Sequence, residues 1–182
     1  MRVVPFYGYD GSVKPSDFVH LHCHSTYSLL EALPFPEEVV LRAKELGQNA
    51  VGLADKGYVY GLIEFYKAAK EHGLNPILGC EVYVAARSRH DKGMKADAKR
   101  YPLTLLAASL EGYQNLLELA TRAALEGMYY KPRVDAELLQ AFGRGLIALS
   151  GQIGGAIPQA ALIEDEGLGR ELVDQYHQFF GE

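Results

Sequence analysis

A run of alternating histidines near the start of the chain has the residue types and spacing of a metal site. His20, His22 and His24 alternate with apolar residues just before Ser25. Alternate residues of a β-strand share a face, so the three imidazoles are expected to point the same way. Neutral imidazole nitrogens bind Zn, Mn or Fe, and carboxylates would have to complete the shell. The alternative is three histidines on a half-exposed strand, bonded to water or to the backbone.

Further polar side chains stand at or near the ends of later apolar segments. They are Asp55, Lys56, Glu81 and Gln152. Parallel α/β folds collect their chemistry at the carboxyl ends of the strands, so separate strands could deliver imidazoles and carboxylates to one mouth. Glu81 is the strongest candidate, because a carboxylate inside an apolar strand is seldom buried without a partner. For Asp55 a loop or helix-cap role stays open on position alone.

Strand and helix patterns alternate along the chain and define the elements that would position these side chains. The predicted strands are Val19–His24, Ala50–Ala54, Ile77–Val84, Leu103–Ala108 and Leu146–Ser150. The predicted helices are Pro36–Leu46, Gly61–His72, a helix from the cap Ser109 to Leu125, a short helix capped by Asp135, and Leu168–Phe180. Fully apolar strands that alternate with helices predict an α/β fold with a parallel sheet buried on both faces.

Composition places the chain among ordinary globular domains. Its 182 residues are 48% hydrophobic and 23% charged, enough for one sizeable core. The formal net charge of −5 argues against a dedicated nucleic-acid-binding or membrane-surface module. Cys23 and Cys80 are too few for a disulfide framework, which favours a cytoplasmic location. Neither a signal-peptide pattern nor a bilayer-spanning apolar stretch is present, so no membrane partner is expected.

One local feature bears on nucleic acid. Basic residues crowd the stretch after the third predicted strand, at Arg87, Arg89, Lys92, Lys95, Lys99 and Arg100, with only Asp91 and Asp97 opposing them. A basic loop of this kind could contact a phosphate backbone. A solvated and mobile surface loop is favoured instead, because aromatic stacking residues are missing inside it. No nucleic-acid-binding residue is assigned.

Four stretches of the chain match one protein family in helices and linkers as well as in metal motifs. They are Phe18–Ser25 with Tyr27–Leu30; Gly61–Lys70 leading to Asn75–Val84; Leu103–Ala107 with Gly112–Leu117, Glu126–Gly127 and Tyr130–Arg133; and Gly145–Gly151. Together they resemble the N-terminal PHP (polymerase and histidinol phosphatase) domain of bacterial DNA polymerase III alpha subunits. The resemblance runs from Phe18 to about Leu162 and implies a distorted β/α barrel of the PHP type with a metal site at its mouth.

The chain departs from that family's pattern at several positions. Lysine at 56 and proline at 102 stand where histidines are usual, glutamine at 152 replaces a frequent cysteine, and Glu31-Ala32 replaces Asp-Gly. What the resemblance leaves as a residual metal site is His22, His24, Asp55 and Glu81, with Zn or Mn bound weakly or not at all. Lys56 would instead neutralise Asp55 or Glu81 by direct pairing.

The resemblance implies a structural and interaction role in DNA replication within a replicative polymerase. Nothing in the chain resembles polymerase palm carboxylates, so no catalytic residue is assigned and the segment alone is not expected to polymerise DNA. The implied partners are the rest of the polymerase III alpha chain, the proofreading exonuclease subunit, and DNA through the holoenzyme. The alternative is an active metal-dependent phosphoesterase or proofreading 3'–5' exonuclease, in which metal-activated water attacks a phosphodiester.

The resemblance also predicts how the chain is divided. Residues 1–17 are expected to form an N-terminal extension, and residues 18–182 a truncated PHP domain. A β/α barrel typically needs about 250 residues, so its closing strands are expected to be absent and the barrel to be incomplete at the C-terminus.

Overall fold

A mixed α/β fold forms in the computed structural model, which describes residues 18–93 and 95–181. The helices are α1 (Pro36–Glu45), α2 (Leu62–Glu71), α3 (Leu110–Leu125), α4 (Ala136–Phe142), α5 (Ala156–Leu162) and α6 (Glu166–Phe180). The strands are β1 (Ala50–Lys56), β2 (Asn75–Ala85), β3 (Arg100–Ala107), β4 (Arg133–Val134) and β5 (Leu146–Leu149). The predicted extension, residues 1–17, lies outside the described residues.

The strands form one open sheet. Within the described residues its order is β1-β2-β3-β5, and β4 pairs with β2 beyond the end of β1. β1 and β4 run parallel to β2, whereas β3 runs antiparallel to both β2 and β5. The predicted α/β class is therefore confirmed, and the sheet is not closed, as expected for an incomplete barrel. The prediction of an entirely parallel sheet is wrong.

The reversal at β3 has a physical reason in the connection that precedes it. Parallel neighbours need a crossover of a dozen or more residues, usually an α-helix. Residues 86–99 contain only the short 3₁₀ helix Lys95–Ala98 among their described positions, which is not enough to cover the sheet. Because the strands are apolar on both faces, their composition alone could not reveal their direction.

The predicted first strand, Val19–His24, is reduced to a single bridge at the outer edge of β1. Cys23 makes that parallel bridge, and Gly52 of β1 donates its N–H to the carbonyl of His20 at 2.7 Å. Gly52 is required for this close approach, because a Cβ there would lie 2.4 Å from the carbonyl oxygen of Leu21. The edge of β1 thus holds the histidine segment in place without a regular ladder.

The helices pack on the sheet and begin at predicted caps. The side chain of Ser109 accepts a hydrogen bond at the start of α3, and that of Asp135 does so at the start of α4. The core combines residues of the strands with those of α1 to α4, including Phe65, Leu53, Leu62, Leu103, Leu105, Leu116 and Leu119. α5 was not predicted. None of the helices in the described part of the chain is both long enough and apolar enough to cross a membrane.

Candidate metal centre

Two of the three alternating histidines come together at the edge of β1. The rings of His22 and His24 meet edge to face, with their centroids 4.7 Å apart. The ring of His20 instead packs against Phe18, with a centroid distance of 4.8 Å. The expectation that all three imidazoles point the same way therefore fails at His20, because the segment is not a regular strand.

Glu81 adds a buried carboxylate to the two imidazoles. It lies on β2 in register with Lys56 of β1 and is 1% exposed. Its Oε2 lies 2.9 Å from Nε2 of His22 and 3.9 Å from Nε2 of His24. One ligand atom from each of these three residues lies within 4.8 Å of the others. We call this group the histidine–glutamate cluster, and its donor set suits a divalent transition metal.

The surroundings of His24 prepare its ring for metal binding. Its Nδ1 lies 2.9 Å from the carbonyl oxygen of Ala54, which can only accept, so the proton is assigned to Nδ1 and Nε2 keeps its lone pair. Burial lowers the pKa of His24 below its ordinary value, His22 lowers it further, and Glu81 opposes the shift. The neutral ring, the form that binds metal, is therefore favoured.

The fourth predicted ligand, Asp55, lies at the end of β1 with its carboxylate engaged elsewhere. Its Oδ1 accepts hydrogen bonds from the backbone N–H of Ser25 at 2.6 Å and from the hydroxyl of Ser28 at 2.7 Å. Its Oδ2 accepts one from the hydroxyl of Ser25 at 2.7 Å. Asp55 thus fixes the turn that follows the histidines, and its oxygens are not part of the histidine–glutamate cluster.

Lys56 brings a cation to the same place. Its ammonium group lies 3.8 Å from Oε1 of Glu81 and forms a second, close ion pair with Glu31. The hydrogen bond from Lys56 lowers the pKa of Glu31, and the same bond raises the pKa of Lys56 against the opposing effect of burial. Sequence reasoning anticipated the contact with Glu81. It did not predict the pairing with Glu31, which stood out only because Glu31-Ala32 departs from the Asp-Gly of the resembling family.

The profile of the PHP domain family matches residues 20–182 of the chain. The chain belongs to the PHP domain family.

Curated relatives of this PHP domain are much longer proteins. DNA polymerase III subunit alpha of Treponema pallidum is 43% identical over 165 residues, which cover 90% of this chain and 14% of that protein. The proteins of the same name from Aquifex aeolicus and Thermus aquaticus are 41% and 43% identical, over 91% of this chain and 15% and 14% of theirs. This PHP domain therefore spans about one seventh of the length of these relatives.

Among solved structures, an amidohydrolase from Chromobacterium violaceum with bound sulfate and no metal matches 68% of this PHP domain and 37% of its own chain. Its TM-score is 0.42 and its sequence identity 21%.

Two other positions at which the chain departs from the pattern of the resembling family are Gln152 and Pro102. Gln152, which follows β5, places Nε2 3.4 Å from Oε2 of Glu81, as a donor to that carboxylate. Pro102 lies on β3 opposite Tyr83. Two cross-strand pairs further, on the same face, Thr104 lies opposite Glu81, and its hydroxyl oxygen is 3.4 Å from Nε2 of His22. A glutamine and a lysine thus contact the buried carboxylate of this PHP domain in addition to the two histidines.

Part of the basic segment of this PHP domain is neutralised internally. Arg89 is 5% exposed and forms ion pairs with Asp135, Glu126 and Glu137 at 2.7–3.0 Å. Arg87 pairs with Asp91 and Asp97. The favoured reading of this stretch as a solvated loop is therefore wrong for Arg89, which is a buried anchor.

A second buried arginine, Arg133 of β4, was noticed only as part of a matching stretch. It is 1% exposed. Its guanidinium donates to the carbonyl oxygens of Arg89, Asp91, Asp97 and Gly127, at 2.6–3.0 Å. A guanidinium has five N–H donors, enough to bind all four of these carbonyl oxygens. Arg133 thereby ties the connection between β2 and β3 to the sheet.

Proposed function

We propose that this PHP domain is a structural and interaction module of a bacterial DNA polymerase III alpha subunit, in which a lysine ammonium supplies charge that a metal ion would otherwise supply. The names of the relatives, at 41–43% identity over about 90% of the chain, support the first part. The position of Lys56 between Glu31 and Glu81 carries the second part.

The groups around Glu81 explain how Lys56 affects metal binding. A buried carboxylate is costly unless it is paired and hydrogen-bonded. The ammonium of Lys56 and the amide of Gln152 both satisfy Glu81 without a metal. The same ammonium would repel a divalent ion that approached the histidine–glutamate cluster. The proposed site therefore holds a metal weakly or not at all, although three ligands are in reach of one another.

The partners follow from the same proposal. They are the rest of the alpha chain, the proofreading exonuclease subunit, and DNA through the assembled holoenzyme, in the bacterial cytoplasm. The division of the chain into an extension, residues 1–17, and a PHP domain from residue 18 is part of the proposal. So is a residual metal site of His22, His24 and Glu81, beside which Asp55 fixes the adjoining turn.

Metal content tests the role of Lys56. Purified parent protein, dialysed against Zn or Mn and then against metal-free buffer, should retain well below one equivalent by mass spectrometry. Lys56→His with Pro102→His removes the competing charge and adds imidazoles, so it should retain far more metal and gain a metal-dependent rise in Tm. Lys67→His, at an exposed position on α2, is the matched control and should change nothing. Stoichiometric metal in the parent with no gain in the double variant would refute the lysine proposal.

A second candidate function, a metal-dependent phosphoesterase or proofreading exonuclease, is favoured by the histidine–glutamate cluster itself. His22, His24 and Glu81 would hold the ion, with Zn suited by the two imidazoles and Mn by the carboxylate. A bound divalent ion would supply Lewis acidity for phosphodiester hydrolysis. The first proposal predicts no cleavage above background of single-stranded or mismatched primer DNA with Zn or Mn. Cleavage that His22→Ala abolishes would instead establish the second.

A further inference from the structure

Two basic residues, Arg100 and Lys131, form no ion pair with a carboxylate within the described part of the chain, whereas two arginines of the same basic segment do. Arg87 and Arg89 are each paired with two or more carboxylates. No carboxylate oxygen of residues 18–93 or 95–181 lies within 4.0 Å of a side-chain nitrogen of Arg100 or Lys131. The guanidinium of Arg100 donates instead to the uncharged carbonyl of Ala98, at 3.0 Å.

Both cations lie against one tyrosine ring. The guanidinium carbon of Arg100 is 5.6 Å, and the ammonium nitrogen of Lys131 5.8 Å, from the centroid of Tyr83. A cation–π contact at this range leaves the positive charge of the side chain in place. Two positive charges on one ring favour the binding of anionic groups to this region.

The sheet register connects this pair to the cluster. Glu81 pairs with Thr104, and the next two pairs on the same face are Tyr83 with Pro102 and Ala85 with Arg100. The ring of Tyr83 also packs against the turn at Gly57, where an added Cβ would lie 3.2 Å from a ring carbon. Lys131 belongs to the same region through its contact with the ring of Tyr83. We call Arg100 and Lys131 the cationic rim.

We propose that Arg100 and Lys131 bind phosphate groups of a single strand of DNA, which then runs along the face of the sheet toward the histidine–glutamate cluster. A guanidinium matches phosphate oxygens in a bidentate manner, and an ammonium serves as a point charge. This proposal goes beyond the proposed function, because it requires no metal and no catalysis by the cluster.

A stacked tyrosine pair with one exposed ring favours a single strand of DNA over free phosphate as the ligand. Tyr58 and Tyr60 follow Lys56 in the turn after β1, and their rings stack with centroids 4.8 Å apart at 15°. Tyr60 is 66% exposed, so its ring is available to a base. Proteins that bind single strands without sequence preference combine a cationic track with aromatic stacking in this way.

Binding of a fluorescein-labelled dT oligonucleotide to the whole 182-residue chain, followed by anisotropy at low salt, tests the proposal. Arg100→Ala with Lys131→Ala should weaken binding tenfold or more. The slope of log K against log salt should become about 1.4 less steep, for two lost single-strand phosphate contacts. Tyr60→Ala should weaken binding severalfold. Addition of EDTA should leave the affinity unchanged.

The matched control is Arg42→Ala with Arg170→Ala. It removes the same net charge from two exposed helix positions that pair with acids on their own helices. It should change the affinity less than twofold. Amide chemical shifts of the parent chain, titrated with the same oligonucleotide, give a readout that needs no variant to fold, and the largest changes are expected at Arg100, Lys131 and Tyr83.

Several results would overturn the proposal. They are no oligonucleotide binding by the parent, equal losses in the rim variant and its control, or shift changes confined to other surfaces. Binding of inorganic phosphate at the rim with no higher affinity for the oligonucleotide would identify a site for free phosphate instead. The metal measurements on Lys56→His are independent of all these outcomes, so failure of the DNA proposal and failure of the proposed function can be told apart.

Discussion

Replacement of Asp55 by asparagine separates a structural role of this residue from a metal-ligand role. The carboxylate is 1% exposed and accepts three hydrogen bonds, two at Oδ1 and one at Oδ2. Asparagine has the same shape and keeps one oxygen for the two donors at Oδ1. Its NH₂ group, however, faces the hydroxyl of Ser25, which has to turn around or lose its partner.

The magnitude follows from those three bonds. Hydrogen bonds to a charged group contribute about 1.5–3 kcal/mol each, against about 0.5–1.5 kcal/mol for neutral pairs. Two bonds that lose their charge and one that is lost or reversed give a decrease of about 3 kcal/mol in the free energy of unfolding. For a domain of this size each kcal/mol shifts Tm by about 2–4 °C, so Asp55→Asn should melt roughly 6–12 °C below the parent.

Thermal and urea unfolding, followed by circular dichroism in EDTA, measure this effect without any metal. Ser28→Ala, which removes only one of the donors, is the control and should cost about 1–2 kcal/mol. In the double variant the two effects should be less than additive, because both act on the same hydrogen bond. The reasoning fails if Asp55→Asn leaves the metal-free Tm unchanged and instead lowers the metal content of the protein, since Asp55 would then be a ligand.

Three further changes test other parts of the structure. Arg133→Lys keeps the charge but cannot reach all the carbonyls, so urea unfolding should show a loss of about 3 kcal/mol. The pKa of His24 is lowered in the folded protein, so the unfolded chain takes up a proton there more readily. The neutral ring therefore contributes fully to the free energy of unfolding above about pH 6.5, and this contribution is lost as the pH falls through the lowered pKa. His24→Gln should therefore flatten the decline of Tm over this range. Gly52→Ala should push the carbonyl of Leu21 off β1, and the thiol of Cys23 should then react faster with a thiol reagent.

The helices and one half of the site were predictable because local chemistry determines them. Ser109 caps α3, which ends at Leu125 as predicted, because a hydroxyl at that position satisfies a free backbone N–H. Glu81 was identified as a ligand candidate because a carboxylate in an apolar strand needs a partner, and it has His22 beside it. Helix capping and the need of a buried carboxylate for a partner can both be recognised from a few neighbouring residues of the sequence.

What sequence reasoning missed depends on tertiary contacts. The direction of β3 is set by the absence of a crossover helix, a signal weaker than the apolar pattern that β3 shares with the other strands. Glu31 reaches Lys56 across 25 positions of the chain, and a charged loop residue carries no sign of its partner. The burial of Arg133 could not be predicted, because three of the four backbone carbonyls that accept its hydrogen bonds lie 36–44 positions away in the chain.

The antiparallel direction of β3 also determines where this protein can gain length. In a strand–helix–strand unit the connection has to return from one end of the sheet to the other, so its span is fixed by the sheet. The connection between β2 and β3, residues 86–99, starts and finishes at the end of the sheet that carries Glu81. Doubling the length of a flexible loop costs only about 0.6 kcal/mol in closure entropy. Insertions at this connection would leave the register of β2 and β3 untouched, so evolution can change its length here without rebuilding the fold.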